Sequence, residues 1–262
     1  MIYVSLKGRL CNQMFQIATA KALSLDNGVD FACSNHVAGI CPTVDETRIY
    51  RQTIFKNIDF FNFLPLGCIQ HQDPANFSYK KIVYKNNIFL NGYYQSSKYF
   101  EHREKEIREL YKCPKSVEDF IDSNFSDLLD MKNTCSVHIR RGDYIKYKDF
   151  HNNLSKRYYE ECFRKRKTDH FVFFSDDIEW CKSTFVELDA TFINSGTDII
   201  DLYLMSRMKN NIIANSSFSW WGAWLNQSNS KVVLAPKNWF GPKNSNFTTK
   251  DLIPEEWIII DA

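Results

Sequence analysis

From residue 134 onward the chain alternates short strand-like runs with segments of helical spacing, and few folds accept that rhythm. Residues 134–139 read as a strand and residues 170–175 as a buried strand, with shorter strands at 191–193, 211–214 and 231–235. Helices are expected at 155–167, 198–207 and 218–225. Strands that alternate with helices form βαβ units, which makes the sheet parallel and the class α/β. The N-terminal part starts the same way. A strand is expected at 2–6, a glycine turn at 8–11, and a helix at 12–26 with Met14, Phe15, Ala18, Ala22 and Leu25 at helical spacing. Asn12 is the expected cap of that helix. Residues 33–86 read as irregular, punctuated by Pro42, Pro65 and Pro74. A strand at 87–94 and helices at 96–111 and 117–129 follow, the first helix ended by Cys113-Pro114. The expectation is two α/β domains, 1–115 and 116–262.

Composition narrows the functional classes. With 262 residues, 44% hydrophobic and 24% charged, the chain can bury a sizeable core, which excludes disorder. Its 33 Lys+Arg against 31 Asp+Glu leave +2, too little for nucleic-acid binding by a strongly basic face. The opening residues lack a basic and then apolar leader, and no run approaches the ~18 apolar residues of a membrane span. A soluble, cytoplasmic protein is expected. The 8 cysteines are scattered without a Cys-x-x-Cys pair and read as thiols in a reducing cytosol. Two Cys-x-x-His pairs, Cys33/His36 and Cys68/His71, hold zinc-ligand types without finger spacing, and no metal is expected. Aromatic residues reach 15%, which suits a sugar-stacking surface or a packed core. Phe171, Phe173, Phe174, Trp221 and Trp224 fall inside expected elements, so most of the surplus reads as packing.

In open α/β sheets ligands sit beyond the C-terminal ends of the strands, and those ends carry the polar clusters here. Val137-His138-Ile139-Arg140-Arg141-Gly142-Asp143-Tyr144 ends a strand in two arginines and a glycine turn. Strand alternation puts His138 and Arg140 on one face. Guanidinium groups bind phosphate oxygens in bidentate fashion, and Asp143 can hold an arginine or read a ligand hydroxyl. A surface turn with an internal Arg–Asp pair explains the bare residues equally well. Lys7-Gly8-Arg9-Leu10-Cys11-Asn12 joins a strand to a helix start and so offers an anion site, or an ordinary turn. Asn215-Ser216-Ser217-Phe218 places small hydroxyls at another helix start. Ser175-Asp176-Asp177 offers a carboxylate to a guanine edge or a ribose, or caps a helix.

Four blocks carry a resemblance. His138-Ile139-Arg140-Arg141-Gly142-Asp143-Tyr144 resembles the His-x-Arg-Arg-Gly-Asp-Tyr motif of the α-1,2-fucosyltransferases, glycosyltransferase family 11. Residues 8–16 resemble that family's N-terminal Gly-x-Gly-Asn-Gln-Met-Phe-Gln signature, and residues 174–177 and 215–225 match two further blocks. The blocks occur in family order over nearly the whole chain. One departure is Cys11, which stands where the pattern has Gly; a positive φ there would strain the turn.

The resemblance implies a GT-B-like fold, two facing Rossmann-like domains with a donor cleft between them. It implies inverting transfer of L-fucose from GDP-β-L-fucose to the 2-hydroxyl of a terminal galactose, with no cofactor and no required metal. The donor side is then 116–262 and the acceptor side 1–115. By the same resemblance Arg140 and Arg141 bind the diphosphate, His138 lies against donor phosphate or sugar, and Asp143 supports the loop. Asp176 contacts the guanosine, while Ser216, Ser217 and Phe218 line the phosphate side. Gly8 and Asn12 face the donor from the other domain. Asp143, His138 and Asp26 remain open as the base. Acceptor choice is expected from residues 33–86, with Tyr93, Tyr94 and Gln95 as a stacking platform or as core. The basic run Arg164-Lys165-Arg166-Lys167 reads as a solvated helix face or as a contact with a membrane carrying a lipid-linked glycan. Two rival readings remain: an enzyme of the same fold that uses another sugar nucleotide or makes another linkage, and a non-catalytic glycan- or nucleotide-binding protein, although a lectin has no use for a diphosphate clamp.

Overall fold

The computed structural model describes residues 1–39, 42–74 and 76–261; Cys41 lies outside them. The chain divides into two compact units, Met1–Pro114 with Phe247–Pro254, and Lys115–Asn246 with Glu255–Ala262. Residues 247–254, assigned to the second domain from sequence, therefore pack with the first.

The first unit contains β1 (Ile2–Lys7), α1 (Leu10–Asn27), β2 (Phe31–Ala38), α2 (Val44–Gln52), β3 (Phe60–Phe61), β4 (Ile69–Gln72), β5 (Ile88–Asn91) and α3 (Glu104–Leu110). Its strands form one parallel sheet in the order β3-β2-β1-β5-β4. β1 is central and alternates buried with half-buried positions. α1 starts at Leu10, two residues before the expected start, so Arg9 and not Asn12 holds the N-cap position. It stops at Gly28, whose φ of 60° lets the Gly28 N–H close back on the Ser24 carbonyl. The stretch expected to be irregular is structured. Ser34-Asn35-His36 interrupts the apolar pattern of β2, β3 is two residues long, and β4 is largely exposed. α2 buries only Tyr50 but carries a capping box, Thr43 with Glu46. The helix expected at 96–111 is two 3-10 turns, Ser97–Tyr99 and Glu101–Arg103, followed by α3.

The second unit contains α4 (Lys115–Asn124), α5 (Ser126–Leu129), β6 (Thr134–Ile139), α6 (Gly142–Lys146), α7 (Lys156–Lys165), β7 (His170–Ser175), α8 (Ile178–Thr184), β8 (Ala190–Phe192), α9 (Asp198–Ser206), β9 (Asn210–Ile212), α10 (Ser217–Leu225), β10 (Val233–Pro236) and β11 (Ile258–Ile260). Its sheet is parallel, in the order β11-β10-β9-β6-β7-β8. Every residue of β6 is buried, as a strand covered on both faces requires. Trp220, Trp221 and Trp224 are buried on α10, and Phe173 stacks between Phe185 and Phe192. The aromatic surplus is thus mostly core. Both units bear out the α/β expectation.

Candidate active site

Register aligns the strand ends of the second unit. Ile139 of β6 pairs with Ser175 of β7, and Val137 pairs with Ile212 of β9. Residues 140–143, 176–177 and 214–218 therefore leave the sheet along one edge, which is where an open α/β sheet binds ligands.

Arg140 is held by two carboxylates. Its guanidinium lies 2.6 Å from Asp143 Oδ1 and 3.1 Å from Asp176 Oδ2. That uses two of the five N–H donors of a guanidinium and leaves three for a ligand. Arg141 donates to Asp177 Oδ2 at 3.0 Å and lies 3.8 Å over the Trp180 ring. Its backbone N–H donates to Asp176 Oδ1 at 2.9 Å. Gly142 is required by this close approach and not by its φ. A Cβ there would stand 2.6 Å from Asp176 Oδ2. Asp176 thus braces the arginine loop, and Asp177 is the residue that caps α8. The arginine turn is an internal ion-pair network at the ligand edge of the sheet.

His138 precedes the loop and is buried, with its ring 5.4 Å from that of Phe218. Burial, helped by the Arg140 charge, pushes its pKa down to about 3. The imidazole is neutral at physiological pH, and its Nδ1 is buried with no hydrogen-bond partner. Ser216 caps α10, its hydroxyl accepting from the Phe218 N–H at 3.3 Å; Ser217 opens the helix. Asn215 ties this turn to the structure by donating to the Asn152 and Trp239 carbonyls at 2.8 and 2.7 Å. Tyr144, stacked on His151 at 4.2 Å, donates to the Asn215 carbonyl at 3.0 Å. Tyr144 therefore links the arginine loop to the serine turn, a role the sequence did not suggest.

In the first unit, Gly8 takes a φ of +73° between β1 and α1. Two buried glutamines of α1 fasten the turn. Gln16 accepts from the Lys7 N–H at 2.9 Å and donates to the Lys7 carbonyl at 3.1 Å, and Gln13 donates to the Gly8 carbonyl at 2.9 Å. Asn12 lies in the first turn of α1 and packs on Gly8, where a Cβ would come within 2.3 Å of its amide nitrogen. Its Oδ1 accepts from Gln95 Nε2 at 2.7 Å. Cys11 is buried inside α1 and is not among the positive-φ residues, so it does not strain the turn.

Several candidates lie elsewhere. Asp26 sits near the far end of α1, about 24 Å along the axis from Leu10 at 1.5 Å per residue. Partial burial works against its charge, but His102 and Arg103 bond it and hold its carboxyl below the usual range. It is no base for chemistry at the Gly8 turn. Tyr94 is fully buried and bonds His71, and Tyr93 stacks on Phe77 at 6.2 Å; Tyr94 is core and no sugar platform. Among the described residues no group of three or more His, Cys, Asp or Glu could hold a metal ion. Cys33 is buried in β2, and His71 is engaged by Tyr94. In the basic run, Arg164 pairs with Glu161 and Arg166 with Asp169. No helix among the described residues is long and apolar enough to cross a membrane.

A parallel α/β sheet with an arginine-bearing strand end beside the starts of α8 and α10 is an arrangement able to hold an anionic ligand. Comparison makes the class definite. The family model described as Glycosyl transferase family 11 matches residues 1–261. An Escherichia coli protein named Alpha-1,2-colitosyltransferase is 34% identical, covering 99% of each chain. The Escherichia coli O-antigen biosynthesis glycosyltransferase WbnK is 29% identical over 95% of this chain and 98% of its own. Among solved structures, POFUT1 in complex with GDP-fucose superposes with a TM-score of 0.51 at 10% identity, over 88% of this chain and 96% of that one. The chain belongs to glycosyltransferase family 11, and it is a glycosyltransferase of GT-B-like fold.

Proposed function

We propose that this enzyme transfers L-fucose from GDP-β-L-fucose to the 2-hydroxyl of a terminal galactose, with inversion. The observation that carries the reading is Arg140, held by Asp143 and Asp176 with donors to spare at the strand end beside the Ser216–Phe218 turn. The α-1,2 linkage of the colitosyl relative supports the regiochemistry. In this reading the second unit takes the donor. Arg140 and Arg141 bind the diphosphate, Ser216 and Ser217 add hydroxyl and N–H donors, and Phe218 packs beside it. His138 meets the donor as a neutral imidazole, and Asp176 both reads the nucleoside and braces Arg140. The first unit, which carries Gly8 and Asn12, takes the acceptor.

The leaving GDP carries the developing negative charge, and fixed guanidinium and helix-start donors stabilise it without a cofactor or a resident metal. The acceptor hydroxyl loses its proton to a weak base. His138 is too acidic to serve near neutrality, and Asp143 is occupied by Arg140. A loose transition state, in which GDP departs ahead of attack, fits that pair. In this reading the reaction runs in the cytoplasm, on a free glycan or one held at the inner membrane face.

The decisive measurement is GDP release from GDP-fucose with galactosides, followed by linkage analysis of the product. Arg140→Ala is expected to lower kcat/KM about 10²–10³-fold, the scale of losing one charge-stabilising donor. Near-wild-type turnover by that variant would overturn the donor site. The colitosyl relative favours one second reading, transfer of colitose, which is fucose without its 3-hydroxyl. A site that hydrogen-bonds the 3-hydroxyl rejects the deoxy sugar by orders of magnitude, whereas a site that ignores it does not. Relative kcat/KM for GDP-fucose and GDP-colitose separates the two.

A further inference from the structure

The first unit holds a groove that the donor chemistry does not use. It encloses about 490 Å³ between the C-terminal end of β2 and α2, and Asn35, His36, Thr47, Arg48, Arg51 and Gln52 line it. That volume lies within the roughly 300–1,000 Å³ of small-molecule sites. Parallel pairing sets Lys7 of β1 beside Ala38 of β2, so the groove opens on the same sheet edge as the Gly8 turn, one strand away.

The lining is largely apolar, with Val37, Pro42 and Val44 among it, and the polar groups set into it are cationic in balance. Arg51 is half-buried, donates to the Asn35 carbonyl at 2.8 Å, and lies 4.4 Å over the Phe60 ring. Among the described residues it has no carboxylate partner, so its charge is met only by the Asn35 carbonyl and the Phe60 ring. Burial lowers its pKa, the direction expected of a cation short of counter-charge. Arg48 stands one turn earlier on the same helix and pairs with Asp45 at 3.0 Å at the rim. Glu46, the other nearby acid, is occupied in the capping box with the Thr43 N–H at 2.6 Å. Among the described residues no carboxylate lines the groove itself. Amides, a hydroxyl and an uncompensated guanidinium together suit a sugar that bears an anionic oxygen group.

We propose that this groove binds an anionic sugar unit of the acceptor glycan, with Arg51 as its counter-ion and Arg48 as a secondary contact. The proposal rests on the glycan-transfer reading above and adds the charge of the acceptor to it. A hexuronate carboxylate and a sugar phosphate share the required chemistry.

The test uses three galactosides that differ at one position: lactose, galactosyl-glucuronic acid, and lactose phosphorylated on the glucose 6-hydroxyl. Binding is first followed by saturation-transfer NMR without donor, so it does not depend on the identity of the transferred sugar. One anionic disaccharide is expected to bind about 10-fold more tightly than lactose, and which of the two wins identifies the group. Arg51→Gln is expected to remove that preference and leave lactose binding within twofold. Arg51→Lys should keep part of it. Because Arg51 also packs on Phe60, the exposed Arg48→Gln provides a second variant, expected to reduce the preference by a smaller factor. Equal binding of all three sugars to the wild type would overturn the proposal, as would equal losses for charged and neutral sugars in the variants. Failure of GDP-fucose to support transfer while the anionic preference persists would count against the donor reading alone.

Discussion

Asp176 shows how much of the site depends on single atoms. One of its oxygens meets Arg140 and the other meets the Arg141 N–H, and a Cβ on Gly142 would stand 2.6 Å from Asp176 Oδ2. Gly142→Ala must push Asp176 aside and release Arg140 from half of its bracing. The expected outcome is a donor KM raised about tenfold with little change in thermal stability, measured by initial rates at varied donor concentration. His138 makes a contrasting case. Its pKa of about 3 lies far below the working range, so it does not titrate during catalysis. His138→Asn should lower kcat without moving the acid limb of the pH–rate profile. A profile whose limb shifts in the variant would show that His138 is a proton carrier after all. Motif residues such as Arg140 and His138 were legible in sequence because strand alternation and a glycine turn give them fixed positions. Tyr144 as a strut and Gln95 as a partner of Asn12 were not legible, because each acts across a long sequence separation, 71 residues in one case and 83 in the other.

At the scale of elements, the loop after β5 shows how a buried carboxylate shapes a segment. Asp73 accepts from the Tyr93 and Tyr94 N–H groups at 3.2 and 2.8 Å and from the Tyr99 hydroxyl at 3.0 Å. Tyr94 adopts a φ of +52°, a conformation that a bulky residue holds only when its surroundings insist. The bend delivers Gln95 to Asn12. Asp73→Ala leaves two backbone donors and a hydroxyl unpartnered. It should cost about 2–4 kcal/mol in denaturant unfolding. Gln95→Ala spares that network, and we expect near-normal stability with kcat/KM lowered about tenfold. A Gln95→Ala enzyme of full activity would remove the loop from the account of the site. The elements read correctly from sequence include β1, α1, β5, β6, α7, β7, α9 and α10, and also the short apolar strands β8, β9 and β10, which the βαβ rhythm marks despite their length. Those missed lack a pattern. β3 is two residues long, β4 is largely exposed, and α6 and α8 hold five and seven residues, too few for a helical period to declare itself.

For the whole molecule, stability should carry the mark of Asp201. Burial pushes its carboxyl up to about 6, although the Ser195 hydroxyl donates to it at 2.6 Å. A carboxyl whose folded pKa is raised favours the fold while protonated. Its contribution is complete below about pH 4 and is lost as pH rises through about 6. Asp201→Asn should therefore match the wild type near pH 4 and exceed it by about 2–3 kcal/mol at pH 7.5, as measured by unfolding at both pH values. The α/β class and the near-balanced charge were legible at this scale. The route of the chain between units was not, because residues 247–254 carry no pattern that assigns them to the first sheet. Asp251 accepts from the Tyr79 N–H and from Lys98, each at 2.8 Å, Phe247 packs on Phe77, and Leu252 and Ile253 are buried. On the ribosome, then, the first unit cannot close until residue 254 has left the exit tunnel, after β6 to β10 of the other sheet have emerged. The half made first is the half finished late, and a nascent chain must keep Phe77, Tyr79 and their neighbours, which wait for that segment, from aggregating throughout the interval.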